Sequence, residues 1–90
     1  MSYSTSYLDL MYRLKTKRED YINEMAARAG NAPELYDCLD DREVFIIFHF
    51  YGFGNPEFKT LEAIGNEFGV SRQRIAFIKN RAVSKLKNQF

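Results

Sequence analysis

Ninety residues form a single domain, long enough to remove about two thirds of the chain's surface from water and too short for two independent cores. Apolar residues make up 46% of the chain, yet no run approaches the roughly twenty that cross a bilayer, so the composition describes a soluble protein and excludes a helical membrane protein. A formal net charge of +1 conceals a division: seven Lys/Arg stand against twelve Asp/Glu before Ser71, whereas six Lys/Arg and no carboxylate follow from Ser71 onward. Such asymmetry points to an anion-binding end on an acidic body.

The N-terminal stretch MSYSTSYLDLMYRLK has neither a basic leader nor an apolar run before a small-residue cleavage site, which argues against secretion and for the cytoplasm. Cys38 is the one cysteine, so it forms no internal disulfide and reads as a small core residue. Tyr7, Leu10, Met11, Leu14, Tyr21, Ile22, Met25 and Ala29 recur at helical spacing before the stop signal Gly30, Asn31 and Pro33. This predicts a long amphipathic helix over residues 7–29, whose other face mixes Lys15, Lys17, Arg18, Glu19, Asp20 and Glu24 as a solvated surface.

Pro33 suits a first helical position, with Leu35, Tyr36 and Leu39 as core contacts of one or two turns. Asp40 and Glu43 have the spacing of a capping box, in which each side chain bonds the other residue's amide. That reading decides the ambiguous run VFIIFHFYGF, equally apt for a buried strand, in favour of a helix ended by Gly52, and Asn55-Pro56 marks a loop. Val44, Ile47, Phe48 and Tyr51 then face one way and Phe45, His49 and Gly52 another, so the helix is apolar almost all round. It is either central to the core, under the N-terminal helix, or covered by a partner. His49 has no cysteine, histidine or carboxylate at ligand spacing, which argues against a metal site.

Thr60 caps a helix to about Phe68, Gly69 ends it, and Ser71 caps the next. This is the spacing of a helix-turn-helix: Gly65 lets the two helices approach, and Ile64, Val70, Ile75 and Ile78 supply their shared contacts. With Ile75, Ile78, Ala82 and Leu86 inward, Arg72, Gln73, Ala76, Phe77 and Asn80 lie outward on the half of the helix that meets base edges in this motif. Arg74, Lys79, Arg81, Lys85 and Lys87 are within reach of phosphates. Turn glycine, small residue, apolar spacing and charge asymmetry together favour double-stranded DNA binding over the alternative, a solvated basic helix in a helical bundle. No glycine loop with a phosphate-binding lysine, cysteine–histidine motif or metal-ligand spacing supports an enzyme or a cofactor.

Over residues 39–87 the chain LDDREVFIIFHFYGFGNPEFKTLEAIGNEFGVSRQRIAFIKNRAVSKLK resembles region 4 of bacterial sigma factors. The resemblance rests on L-x-x-R-E at Leu39, Arg42 and Glu43, the pair Tyr51-Gly52, TLEAIG, FGVSRQRI and the closing A-V-S-K-L. It implies an all-α domain that docks on the β-subunit flap of RNA polymerase and reads the minus-thirty-five promoter element. By position, Arg72 and Gln73 stand where the family contacts bases, and Thr60, Glu62 and Arg74 where it contacts or supports phosphates. The helix of Phe45, Phe48 and His49 would lie on the polymerase-facing side. Ala76 and Phe77 replace an arginine and a glutamine of housekeeping sigma factors, and Gln73 replaces a glutamate, so the usual hexamer does not carry over with the resemblance; the alternatives are that Phe77 and Ala76 touch thymine methyls or that this surface binds protein.

The expected organisation is an N-terminal helical extension, residues 1–38, packing on the core or a partner, followed by the region 4-like helix-turn-helix, residues 39–90. Residues 1–38 do not resemble the sigma region that melts the downstream element, so a stand-alone, phage-like or accessory factor coupling polymerase to upstream DNA is the reading adopted. Its rivals are an autonomous repressor or activator, homodimeric through the N-terminal helix, and a protein-only mimic of region 4.

Overall fold

A computed structural model describes residues 5–52 and 58–89. Its elements are α1 (Thr5–Ala29), a 3-10 turn (Pro33–Tyr36), α2 (Asp41–Phe50), α3 (Leu61–Phe68) and α4 (Arg72–Lys87), with no strand among the described residues. This is the all-α architecture with a long N-terminal helix and a C-terminal helix-turn-helix. The side chain of Tyr7 and the Asn55-Pro56 loop signal lie outside the described residues.

Helix α2 sits at the centre, and its first turn shows why the ambiguous run is helical. Glu43 N–H donates to Asp40 Oδ1 and Asp40 N–H donates to Glu43 Oε1, each at 2.8 Å, which satisfies two amides left open at a helix start. Every residue from Glu43 to His49 is buried. Val44, Ile47 and Phe48 join Ile22, Met25 and Ala26 of α1 and Ala82 of α4 in one cluster; Phe45 and Ile46 join Leu10, Leu14, Ile64 and Ile75 in another. One helix therefore serves two faces of the core, as an all-round apolar helix must.

Helix α1 lies across α2 with Leu10, Leu14, Ile22, Met25 and Ala26 buried. Arg18 interrupts the stripe and turns its guanidinium to Asp41 Oδ1 at 3.3 Å. Met11 and Ala29, expected on the apolar face, are exposed: the buried stripe takes Leu10 and Leu14 rather than Met11, and ends at Ala26, one turn before Gly30. At that stop Asn31 N–H donates to the Ala26 carbonyl at 2.9 Å, closing the helix end.

Two further expectations are corrected. Cys38 is exposed. With about three residues per turn in a 3-10 segment, Tyr36 and Leu39 share the inner side and residues 37 and 38 turn outward. Phe45, Phe48 and His49, expected to face polymerase, are 1%, 6% and 6% exposed. Tyr21 of α1 stacks on Phe48 at 4.2 Å and meets His49 at 5.2 Å, and Phe68 of α3 lies 5.6 Å from Phe45. The Nδ1–H of His49 donates to the Phe45 carbonyl at 3.0 Å within the same helix. The three rings are core, and no surface is left on them for a partner.

Candidate nucleic-acid interface

The helix-turn-helix is built from local hydrogen bonds that the residue types dictate. Thr60 Oγ1 accepts from Ala63 N–H at 3.1 Å and Ser71 Oγ accepts from Arg74 N–H at 3.2 Å, so α3 and α4 each begin on a hydroxyl cap. Between them Gly69 takes φ 72°, the left-handed conformation in which a Cβ is costly, and Val70 N–H donates to the Gly65 carbonyl at 2.9 Å. A Cβ at Gly65 would stand 2.7 Å from the Val70 carbonyl oxygen. The glycine is there because the turn backbone passes over α3 at that point. Val70, expected to be a shared contact, is 41% exposed as a result of riding on the outside of the turn.

Helix α4 divides cleanly. Ile75 and Ala82 are fully buried and Ile78 and Leu86 half-buried, on the inner side. Gln73, Phe77, Asn80 and Ser84, spaced four, three and four apart, are all exposed and form the outer line. Arg72 and the half-buried Ala76 flank it on one side, Arg74 and Arg81 on the other. Phe77 is 51% exposed, with the guanidinium carbons of Arg74 and Arg81 at 5.6 and 5.9 Å from its ring centre. Both distances are in the cation–π range.

The electrostatics of α4 are unbalanced. Among the described residues only Lys85 of its six cations has a carboxylate partner, the buried Glu43, at 2.9 Å. Lys79 places its ammonium 5.0 Å from the Phe50 ring, a contact that leaves its charge uncompensated. Arg72 and Arg74 occupy the first turn, where the helix dipole is already positive and each cation costs about 0.3–1 kcal/mol. The body of the protein is different: Glu67 holds Lys59 at 2.8 Å and Arg13 at 3.8 Å, and Arg28 meets Glu24 at 2.6 Å.

Of the base-reading set, Arg72, Gln73 and Ala76 share an open hollow with Thr60 and Glu62 at the start of α3, while Phe77 opens onto a neighbouring one with Arg81 and Lys85. Lys85 differs from the other expected phosphate contacts because Glu43 holds its charge. Sequence reasoning passed over Phe58, 64% exposed at the edge of the first hollow, and Ser84 on the outer line. Phe58 sits in a stretch with the composition of a loop, and no periodicity marks it.

Two capped helices joined at a left-handed glycine, the second with a bare polar and cationic face, define a helix-turn-helix module of the type that engages DNA. The sequence profile of the sigma-70, region 4 family matches residues 37–88, and the chain belongs to that family. The RNA polymerase sigma-28 factor of Bacillus thuringiensis subsp. kurstaki is 31% identical over 85 residues, covering 92% of this chain and 36% of the relative. The RNA polymerase sigma-K factor of Bacillus subtilis (strain 168) is also 31% identical over 85 residues, covering 92% of this chain and 29% of the relative. RNA polymerase sigma factor SigA of Lactococcus lactis subsp. cremoris is 35% identical over 69 residues, 77% of this chain and 19% of its own length. The chain thus spans about a third or less of these relatives, and a match over 92% of it necessarily takes in most of α1. No solved structure matches the chain.

Proposed function

We propose that this protein binds upstream promoter DNA through the outer face of α4 and couples that DNA to RNA polymerase, as a sigma-like transcription factor. The observation that carries the reading is the state of α4: exposed Arg72, Gln73 and Phe77 with half-buried Ala76, beside cations of which only Lys85 has a carboxylate partner among the described residues. Family membership and relatives named as RNA polymerase sigma factors support it. Arg72, Gln73, Ala76 and Phe77 choose the sequence; Thr60, Arg74, Lys79 and Arg81 hold the backbone, and Lys85 contributes least because Glu43 competes for it. No catalytic step and no cofactor belong to this reading.

The polymerase partner implied by the resemblance is the β-subunit flap. Since Phe45, Phe48 and His49 are enclosed, the contact falls to apolar side chains that the fold leaves open: Leu8, Met11 and Tyr12 of α1 and Val70 of the turn, 37–71% exposed. In this arrangement α1, within the N-terminal extension of residues 1–38, both covers the core and extends the protein-binding surface, and α4, within residues 39–90, carries the DNA-binding face. A module of this size covers only about 600–1,000 Å² of DNA, so tethering to polymerase raises occupancy by effective concentration.

The test is co-migration of the purified chain with core RNA polymerase after nuclease treatment, followed by footprinting of the complex. A stoichiometric complex protecting one upstream segment is the expected result. Symmetric half-sites about one helical turn apart, protected without polymerase, would instead establish the autonomous homodimer joined through the exposed Leu8 and Tyr12. A polymerase complex indifferent to loss of the α4 cations would establish the protein-only mimic.

A further inference from the structure

The outer line of α4 has an unusual chemical content for a base-reading surface. Arginine pairs with guanine, asparagine and glutamine pair with adenine, glutamate and aspartate accept from cytosine, and apolar side chains pack on the thymine methyl. Gln73, Phe77 and Asn80 occupy consecutive turns of the exposed face, and α4 contains no carboxylate able to accept from cytosine. Of its arginines, Arg74 and Arg81, one turn before and one turn after Phe77 on the same flank of the outer line, hold their guanidinium carbons 5.6 and 5.9 Å from its ring centre, which engages both with the ring and along that flank. Arg72, exposed in the first turn beside Gln73 and, unlike Arg74, not engaged with the Phe77 ring, is placed to reach a guanine. From residue 73 to residue 80 the helix rises about 10 Å, the length of roughly three base-pair steps.

Resting on the DNA-binding reading above, we propose that α4 reads a short run of A·T pairs: Phe77, steadied by Arg74 and Arg81, packs on thymine methyls, while Gln73 and Asn80 bond adenine edges on either side. A guanine is accepted only at the end that faces Arg72. Phe77 is the residue that decides specificity, and it does so by an apolar contact. Its ring stays 51% exposed beside two guanidinium groups, so further burial, against methyl groups, comes with binding. Each methyl packed in this way contributes about fourfold to affinity, the equivalent of one buried CH₂.

Thymine and uracil present the same hydrogen-bonding edge and differ by that methyl group, which gives the test. Duplexes are first selected from a random pool by the full chain at low salt, and the enriched element is then remade with deoxyuridine in place of its thymines. The expected result is an A·T run flanked at one end by G·C, with affinity falling fourfold or more on deoxyuridine substitution. Phe77→Ala, which removes no core contact, is expected to keep its helical circular dichroism, to bind the thymine duplex as weakly as the wild type binds the uracil one, and to make no distinction between the two. Enrichment of a G·C-centred element, or equal affinity of the wild type for both duplexes, would overturn the proposal while leaving DNA binding standing. Failure to enrich any sequence would overturn the DNA-binding reading and the proposal together.

Discussion

Helices α2 and α4 pack against one another in the same small core, and they use their apolar residues in opposite ways. Six of the ten residues of α2 are apolar, and every one from Glu43 to His49 is enclosed by α1, α3 and α4. Helix α4 buries only Ile75 and Ala82 completely and leaves a phenylalanine half in water between two arginines. The lesson is that apolar content does not locate a binding surface: the helix rich in buried rings is structural, whereas Phe77, one of several exposed rings, lies on the helix whose charges are left unbalanced.

The comparison breaks most visibly in stability. Phe45→Ala, in the centre of α2, is expected to cost about 3–5 kcal/mol, enough to unfold much of a domain this small, read from the midpoint of chemical denaturation. A loss below about 1 kcal/mol would mean that α2 is not the enclosed element described here. Gly65→Ala comes next at about 1–3 kcal/mol, because its Cβ meets the Val70 carbonyl at 2.7 Å and backbone cannot step aside as a flexible side chain does. Larger residues at this position should cost more. Glu43→Ala removes half of the capping box and the partner of Lys85, an expected loss of about 1–2 kcal/mol. At the lower end, Phe77→Ala and Arg72→Ala should alter stability by no more than about 0.5 kcal/mol. Arg72→Ala nevertheless should weaken binding to the preferred duplex over others by about 1–3 kcal/mol in a competition assay.

What could be read in advance follows the range of the interactions. The capping box at Asp40 and Glu43, the hydroxyl caps at Thr60 and Ser71 and the left-handed Gly69 are contacts within four residues, so residue type and spacing suffice to find them. The same caps settled VFIIFHFYGF as a helix. Which rings α1 would cover was not legible, since Tyr21 meets Phe48 across a loop and no local pattern encodes that pairing. For the same reason Lys85 looked like any other cation of the basic helix until its distant partner Glu43 came into view. Cys38 went the other way: its apolar character is real, but the narrow pitch of a 3-10 turn placed Tyr36 and Leu39 inward instead. The outward half of α4 was legible because one helix with four inward apolar residues leaves little freedom for the rest.

The proposal that the α4 cations without a carboxylate partner meet DNA is tested most directly by the salt dependence of binding. Affinity for one duplex, measured by fluorescence anisotropy across a series of salt concentrations, should fall with a log–log slope of about −4, as expected when roughly four phosphates are neutralised. Arg81→Ala should reduce the slope by about one while leaving the fold intact. A slope near zero, or one unchanged in Arg81→Ala, would contradict the account and return α4 to the role of a solvated helix.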